Sequence, residues 1–408
     1  MAIPKLALIP SGVKAGKLYS VLPTNGDGDF TTTRNTVATR VNENGLIEEV
    51  ASNVPRLDYS DGTCPSLLLE PTATNLITYS EDFSNAAWIK DNVSVVSGQV
   101  SPKGDTSAFK LVEDTSTSQH YQKTGNITIT TSTDYSISVF AKDNGSKFAI
   151  RDGSSDSYIS VDLSTGTILD SSGTDAKIKS LSNGWYKVSL SYLSTSTICA
   201  VQLMTLSSSY VSGTPWVAYT GDGTSGVYIY GAQLEENSSA TSLINTVGTT
   251  QTRVADTASG SGNSTVINSS EGVLYAEISG FENDTSFRTI SLSDGTVSNQ
   301  IQLLYSGDTN VIRVILDSNS IGQVDFNYTM TNGTNYNKIA FSYKQNEFNL
   351  WVNGVKRQSD PSGNTPINLN DFSFQNGAGS ANFYGKTKSV QVYTTALSDA
   401  ELTTLTTI

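Results

Sequence analysis

Charged side chains are scarce in this sequence. Only 15% of its residues are Asp, Glu, Lys or Arg, against about 25% in average soluble proteins, and Ser, Thr, Asn and Gly take their place. Acidic residues outnumber basic ones by 38 to 25, and no cluster of Lys and Arg interrupts the net charge of −13. Because such a field repels phosphates, the composition argues against nucleic acid as a partner.

Histidine and cysteine are almost absent. The single histidine, His120, excludes a His-rich zinc site, and a Ser/His/Asp triad would depend on this one residue, which we predict to be an ordinary strand or loop residue. Cys64 and Cys199 lie far apart in sequence, so they indicate packing groups rather than a disulfide framework. We find no catalytic residues and predict that the protein is not an enzyme.

Long apolar runs are also missing. None reaches the roughly 18 residues of a membrane helix. The opening "MAIPKLALIPSG" has too short an apolar stretch for a signal peptide. We therefore expect synthesis in a cytoplasm and no membrane insertion. The sequons at 126–128 and 283–285 are expected by chance in so polar a chain.

The sequence predicts an all-β protein in four segments. Residues 1–75 hold more than half of the ten prolines, too closely spaced for long helices or strands, and we predict an extended arm lying on another surface. Residues 76–243 alternate with the period of two of a β-sandwich: Tyr135, Ile137, Val139 and Ala141 share one face of a strand.

A second sandwich is predicted after a linker. Residues 244–270 are small and polar, with "SGSGNS" as the most flexible part. The pattern of residues 271–408 predicts a further set of strands. In "NVIRVILD" the core face consists of Ile312, Val314 and Leu316. In "KIAFSYK" it consists of Ile339, Phe341 and Tyr343. One short helix is expected near the end, where Ser398 to Glu401 form a capping box and Leu402 and Leu405 face the sandwich.

Acidic side chains offer few sites. The segment Asn25 to Asp29 has the spacing of a calcium loop's first ligands, but Phe30 stands where that loop needs Gly. A turn is the favoured interpretation there and at Asp222, and a structural calcium remains an unsupported alternative; no other cofactor is predicted. Adjacent acids such as Glu235 and Glu236 point to opposite faces of a strand and are interpreted as solvated charges.

Sugar binding needs exposed aromatic side chains, with polar groups beside them for the hydroxyls. Trp185 lies on the side of its strand that carries Lys187, which is compatible with an exposed position. Trp216 follows a Gly-Thr-Pro loop near Tyr210 and Tyr219. These four aromatic residues are the candidate glycan-binding residues, although a core or inter-sheet position is the favoured interpretation for each Trp.

A family resemblance adds to this reading. "RNTVATRVNENGLIEEVASNVPRLDYSDGTCPSLLLEPTATNLITYSEDFSNAAW", from Arg34 to Trp88, resembles a segment that recurs in virion proteins of tailed bacteriophages. "GAQLEENSSATSLINTVGTTQTRVAD" resembles the exit segment of the same module. Residues 76–243 look like a carbohydrate-binding-module jelly roll, and "FNLWVNG" and "ALSDAELTTL" are similar to the concanavalin A-like, laminin G-like sandwich. The resemblance implies burial of Leu67, Leu68, Leu69, Phe83 and Trp88 where the arm joins the first sandwich.

The resemblance implies a structural subunit of a virion appendage: a tail fibre, tail tip or head fibre. The expected partners are other virion proteins, through the N-terminal arm, further copies in a homotrimer, and host surface polysaccharide. Two alternatives stay open at this point. One is a glycan-degrading depolymerase or its accessory module, and the other is a purely architectural virion protein. Fold analogy alone specifies no ligand.

Overall fold

The computed structural model describes residues 2–282 and 286–408, so the sequon at 283–285 lies outside the described residues. Nearly all of its regular structure is strand, and the predicted all-β class is confirmed. The first strands are β1 (Leu6–Leu8), β2 (Val13–Lys14), β3 (Lys17–Leu18), β4 (Phe30–Thr33), β5 (Ala38–Val41), β6 (Ile47–Val50), β7 (Arg56–Asp58), β8 (Ser66–Leu69) and β9 (Ala73–Asn75).

The middle of the chain contains seventeen strands and a short 3-10 helix, Ser182–Gly184. These strands are β10 (Trp88–Asp91), β11 (Val93–Gln99), β12 (Ala108–Glu113), β13 (Thr117–Ser118), β14 (His120–Thr124), β15 (Ile127–Thr128), β16 (Asp134–Asn144), β17 (Lys147–Asp152), β18 (Tyr158–Asp162), β19 (Thr167–Ser172), β20 (Asp175–Ser180), β21 (Trp185–Leu193), β22 (Ile198–Cys199), β23 (Val201–Leu206), β24 (Tyr219–Thr220), β25 (Gly226–Glu235) and β26 (Gln251–Arg253).

The last part of the chain ends in the α-helix α1, Asp399–Thr406. Its strands are β27 (Thr257–Ser259), β28 (Glu271–Gly280), β29 (Arg288–Ser293), β30 (Gln300–Tyr305), β31 (Val311–Ser318), β32 (Ile321–Thr329), β33 (Asn337–Lys344), β34 (Glu347–Val352), β35 (Val355–Asp360), β36 (Asp371–Ser373) and β37 (Gly385–Tyr393). Within the described residues, no helix has the length and apolar character that a membrane crossing requires.

The chain divides into two compact units. Unit 1 consists of Met1–Val37, Val50–Pro71 and Val254–Ile408, and unit 2 consists of Ala38–Glu49 and Thr72–Arg253. The backbone therefore passes between the units four times, and each unit is assembled from segments that are distant in sequence.

Unit 1 is a sandwich of two antiparallel sheets. An eight-stranded sheet has the order β35-β34-β33-β28-β37-β8-β7, with β1 also paired to β37, and a five-stranded sheet has the order β32-β31-β30-β29-β36. The core lies between them, and the predicted core faces are confirmed: Ile312, Val314, Leu316, Ile339, Phe341 and Tyr343 are fully buried. Apolar side chains at every second position of β31 and β33 produce this arrangement.

Helix α1 lies against the outer face of the eight-stranded sheet. Ser398 accepts a hydrogen bond from the Glu401 amide while the Glu401 side chain bonds back to the Ser398 backbone, as the predicted capping box requires. Leu402 is buried in a cluster with Tyr275 and Trp351, and Leu405 is half-buried beside them. The prediction of a docked C-terminal helix is confirmed.

Residues 1–75, predicted as an arm, supply strands to both units. In unit 1, β1 pairs with one half of β37 and β8 with the other half. Their leucines are fully or almost fully buried in the sandwich core: Leu6, Leu8, Leu67 and Leu69. Prolines keep these strands short, but a short strand still buries its apolar side chains when it extends an existing sheet.

Residues 244–270, predicted as a linker, are also largely packed. Strand β26 pairs with β9 in unit 2, and β27 pairs with β4 in unit 1. In unit 1, Val266 and Ile267 are buried in the core. Apolar alternation did not predict those strands, because the segment is small and polar and short strands at a sheet edge need little apolar content.

A buried ion network lies where the backbone leaves and re-enters unit 1. The Arg56 guanidinium donates to Glu70 Oε2 at 2.6 Å and also contacts the Asp256 carboxylate, and Arg34 lies 3.0 Å from the same aspartate. The backbones of Glu70 and Asp256 are joined by a 3.0 Å hydrogen bond. Two buried cations therefore share two buried anions, which satisfies charges that would otherwise be costly to bury.

Unit 2 is a second sandwich, made of two six-stranded antiparallel sheets with the orders β10-β14-β23-β17-β18-β19 and β11-β12-β25-β16-β21-β20. The predicted inner face of β16 is confirmed, because Tyr135, Ile137, Val139 and Ala141 are buried in the core between the sheets. Phe83 and Trp88 are buried in the same core, as the resemblance implied, whereas the buried Leu67, Leu68 and Leu69 belong to unit 1.

Candidate functional site

Trp185 is buried, so it presents no exposed ring to a sugar. It is 1% accessible and packs with Phe140, Tyr230 and Leu243 on the outer face of its sheet. Ile47, from the hairpin formed by β5 and β6, belongs to the same cluster and helps to cover this face. Period-two alternation correctly placed Trp185 away from the main core but did not show that a distant hairpin covers it.

Tyr210 and Trp216 meet on the outer face of the other sheet of unit 2. Both are half-buried against Ala149, Met204 and Leu206, and Tyr121 packs on the same residues. Tyr158 meets Trp216 edge to face, with ring centroids 5.7 Å apart and an interplanar angle of 88°. We call Tyr121, Tyr158, Tyr210 and Trp216 the aromatic face.

Strand register explains the positions on this face. In β17, Phe148 and Ile150 point into the core, so Ala149 and Arg151 point outward. Across the sheet, Tyr121, Met204, Ala149, Ser160 and Asp170 lie opposite one another in successive strands. The small side chain of Ala149 leaves room for the rings above it.

Residues 207–218, between β23 and β24, form a strap that carries Tyr210 and Trp216 and lies over the outer face of the sheet. Its Gly213 amide donates to Asp170 Oδ2 at 2.7 Å. The Tyr210 hydroxyl lies 3.3 Å from Ser160 Oγ and also contacts the Gly213 carbonyl. The strap is thus attached to the face by hydrogen bonds as well as by the ring of Trp216.

Arg151 is the main cation beside the aromatic face. Its guanidinium lies 4.0 Å from the centroid of the Trp216 ring, a cation–π geometry. Nη1 donates to Gln202 at 3.2 Å and Nη2 contacts Asp156, while Nε is buried and has no hydrogen-bond partner among the described residues. One guanidinium donor is therefore unsatisfied at this face.

The phenols of the aromatic face stay neutral at ordinary pH. Burial, together with the carboxylate of Asp91 that accepts the Tyr121 hydroxyl at 2.7 Å, raises the pKa of Tyr121 to about 12. Burial also raises the pKa of Tyr158, with Asp170 adding to the effect, and that of Tyr210. These hydroxyls remain hydrogen-bond donors.

Tyr219 belongs to a different group of contacts. Its hydroxyl donates to Glu113 Oε2 at 2.7 Å, and its ring lies 4.6 Å from that of His120. His120 is fully buried in β14, with Nδ1 2.8 Å from the Asn92 carbonyl and Nε2 3.2 Å from that of Tyr219. Of the four predicted residues, the structure brings together only Tyr210 and Trp216.

The sequence did not identify four residues at the aromatic face: Tyr121, Arg151, Tyr158 and Asp170. Alternation would have placed Tyr121 opposite to His120 and Gln122, both of which are buried. However, the sequence contains no signal that β23 lies between β14 and β17, and the order β14-β23-β17-β18-β19 alone brings these side chains onto one surface.

Acidic residues of the chain are mostly engaged in local structure. Within residues 2–282 and 286–408, no group of three or more His, Cys, Asp or Glu side chains is placed to hold a metal. Asp29 pairs with Lys17 at 2.7 Å. Asp222 accepts hydrogen bonds from the Ser225 hydroxyl and from the amides of Ser225 and Thr224, and these bonds lower its pKa. These contacts match the turns favoured from the sequence.

The interpretation of Glu235 as a solvated charge is wrong. It is fully buried, and burial raises its pKa despite the nearby Lys187 and Arg253. Its carboxylate accepts the Thr241 amide at 3.0 Å. Because β25 is a central strand covered on both faces, neither side of it offers solvent to a carboxylate.

Fold and geometry together define an all-β protein of two sandwich units. Residues 275–403 match a laminin G family model described as the concanavalin A-like lectin/glucanases superfamily. That match confirms the predicted concanavalin A-like sandwich for this part of unit 1. A search of curated proteins found no match.

Several solved structures resemble the chain at low overall similarity. The Ruminococcus gnavus IT-sialidase CBM40 is 18% identical, with 37% of this chain and 94% of that chain covered and a TM-score of 0.31. Domain 4 of AbnA, a GH43 extracellular arabinanase from Geobacillus stearothermophilus solved with arabinotriose, is 15% identical, with coverages of 37% and 73% and a TM-score of 0.31. A leech intramolecular trans-sialidase is 15% identical, with coverages of 37% and 26% and a TM-score of 0.30.

Proposed function

We propose that the protein is a non-enzymatic, glycan-binding structural subunit of a bacteriophage virion appendage. The observation that supports glycan binding is the aromatic face of unit 2, where rings lie on a sheet beside Arg151, Ser160 and Asp170. Rings pack on the apolar faces of sugars, and the polar groups bond their hydroxyls. The superfamily matched by residues 275–403 contains lectins by its description.

The virion part of the proposal rests on the sequence between Arg34 and Trp88, which resembles a recurring segment of phage virion proteins. A trimer bound to a repetitive polysaccharide would gain from multiplicity. One contact near millimolar affinity corresponds to about −4 kcal/mol, and linked sites raise avidity by about 10²-fold or more. The partners in this proposal are other virion proteins, contacted through residues 1–75, and the host surface polysaccharide.

Glycan binding is tested with an oligosaccharide array followed by calorimetry on the best binder. We expect Trp216→Ala to lower affinity at least about tenfold, because an aromatic platform and its cation–π contact are lost together. Tyr328→Ala is the matched control, since Arg357 lies 4.6 Å from that ring in unit 1. An array without hits, or equal losses in both variants, would contradict a glycan site on the aromatic face.

The absence of catalysis is tested on the polymer itself. Host surface polysaccharide incubated with the protein should keep its chain length, as measured by size-exclusion chromatography. Shortened chains would instead support the depolymerase alternative. Denatured protein serves as the control for spontaneous hydrolysis.

The virion location is tested by labelling purified particles with an antibody to unit 2 and viewing them by electron microscopy. Label at a tail tip or fibre is the expected result. Particles that are complete but unlabelled, with the protein only in the soluble lysate, would contradict the proposal.

A further inference from the structure

We propose that the Tyr210 to Gly213 part of the strap covers a sugar subsite formed by Tyr158, Ser160 and Asp170, and that a bound glycan displaces this part while Trp216 stays on the sheet. This inference rests on the proposed glycan-binding function. It adds the position of one subsite, the type of sugar group that occupies it, and the segment of the chain that controls access.

The three covered side chains form a suitable set for a sugar. Ser160 in β18 and Asp170 in β19 are paired across the two strands, and Tyr158 is two residues before Ser160 on the same face. A carboxylate accepts hydrogen bonds from two neighbouring hydroxyls, and a serine hydroxyl both donates and accepts. The ring of Tyr158 offers an apolar surface next to them. The expected occupant is a sugar ring with a pair of adjacent free hydroxyls.

The strap now supplies the polar contacts of this subsite from the protein itself. The Gly213 amide donates to Asp170 at 2.7 Å, and the Tyr210 hydroxyl lies 3.3 Å from Ser160. An amide donor and a hydroxyl thus occupy the positions that a sugar's hydroxyls would take, while Trp216 remains edge to face with Tyr158. The strap is therefore an intramolecular competitor, and it lowers apparent affinity by the fraction of molecules in which it is closed.

The strap has features of a segment that can leave the face. It forms neither helix nor strand, and it directs Val211 and Val217 into solvent, with 74% and 61% of their surface exposed. Its ends are fixed by β23, which ends at Leu206, and β24, which begins at Tyr219. Few buried contacts and exposed backbone are the properties of segments that open at low cost.

Tyr210→Phe tests the competition directly, because it removes the hydroxyl that contacts Ser160 and the Gly213 carbonyl but keeps the ring. Losing one hydrogen bond of the closed state should tighten glycan binding by about twofold to tenfold. Asp170→Asn should weaken binding although it also loosens the strap, because the sugar loses its charged acceptor. Tyr328→Phe in unit 1 is the control and should leave affinity unchanged. Equal or weaker binding by Tyr210→Phe would overturn the inference.

Hydrogen exchange of the strap amides gives a second readout. Displacement predicts that the glycan speeds exchange in residues 207–213, including Gly213, while β17 and β18 become more protected. A strap that closes over the sugar would exchange more slowly, and that result would also overturn the inference. If neither the natural protein nor Tyr210→Phe binds any glycan, the proposed function itself fails; if the natural protein binds and Tyr210→Phe binds no tighter, only the displacement fails.

Discussion

Each unit of this protein carries apolar side chains on the outer face of a sheet, and the two patches are covered in different ways. In unit 1 the cover is α1, a helix with a complete capping box that buries Leu402. In unit 2 it is the strap, which has no repeating hydrogen bonds and is attached through Tyr210, Gly213 and Trp216. A helix satisfies its own backbone groups, whereas the strap depends on polar groups of the face beneath it.

That difference separates a permanent cover from an exchangeable one. Removing α1 would expose an apolar cluster to water, whereas moving the Tyr210 to Gly213 part of the strap would free Ser160 and Asp170, whose hydrogen bonds sugar hydroxyls can replace. The same physical reasoning explains why binding is proposed for unit 2, although unit 1 is the part that matches a lectin-containing superfamily.

Deletion of residues 2–37 should unfold unit 1 and spare unit 2. It removes Leu6, Leu8, Leu18 and Phe30, all fully buried in the core of unit 1. At about 1.5–3 kcal/mol for each buried side chain, the loss is comparable to the roughly 5–15 kcal/mol by which a domain is stable. Hydrogen exchange would measure both units at once. If β33 and β34 keep native protection in the shortened chain, residues 2–37 form only a detachable arm.

Arg56→Met should destabilise unit 1 by about 3–5 kcal/mol, because it leaves the buried negative charges of Glu70 and Asp256 with less positive charge beside them. The matched control is Arg313→Met, which breaks an exposed pair with Asp325 and should cost only about 0–1 kcal/mol. Urea unfolding followed by circular dichroism measures both. Similar costs for the two variants would mean that the Arg56 network does not behave as a buried one.

Leu402→Ala should destabilise unit 1 by about 2–3 kcal/mol, since it leaves a cavity beneath α1. Tyr210→Phe should cost unit 2 about 1 kcal/mol or less, the net value of one hydrogen bond. Calorimetric unfolding of the two variants compares the covers directly. If Tyr210→Phe costs as much as Leu402→Ala, the strap is as firmly held as the helix and the distinction between the covers is lost.

Raising the pH should weaken unit 2 slightly through Tyr121. Its pKa in the folded state is raised to about 12 from 10.0, so the stabilisation is complete below pH 10 and is lost as the pH rises through the folded value. Tyr121→Phe should flatten this part of the profile. The measurement is chemical unfolding at a series of alkaline pH values, alongside the ultraviolet absorbance of tyrosinate. An unchanged slope in the variant would assign the loss to another group.

Much of the fold was predictable because local pattern and final environment agree. Alternation identified Ile312, Val314 and Leu316 as a core face, and the spacing of Ser398 and Glu401 identified α1. The prolines of residues 1–75 correctly excluded long elements. The prolines did not indicate which strands these residues pair with, since Leu6 pairs with Val392 and Leu67 with Thr387 across hundreds of residues. Such distant pairing is decided by tertiary structure.

The candidate site was predictable only in its loop. A Gly-Thr-Pro turn before an aromatic residue marked Trp216, and Tyr210 lies on the same strap. For Trp185 a buried position was the favoured interpretation, but its neighbour Ile47 was not predictable because it lies far away in sequence. Tyr121 and Tyr158 share a surface only through the order of β14, β23, β17 and β18. A sequence shows which side of a strand a residue occupies but not which strands become its neighbours.

The pairing of β9 with β26 has a genetic consequence. Ala73 lies opposite Arg253, so both ends of the long segment 72–253 meet at one place, as they do in an inserted cassette. Recombination that exchanges only this segment would leave the hairpin of residues 38–49 behind, and Ile47 would lose its fitted neighbours Trp185 and Leu243. Exchange of unit 2 between related genes should therefore carry two pieces together, the short hairpin of residues 38–49 and the long segment 72–253.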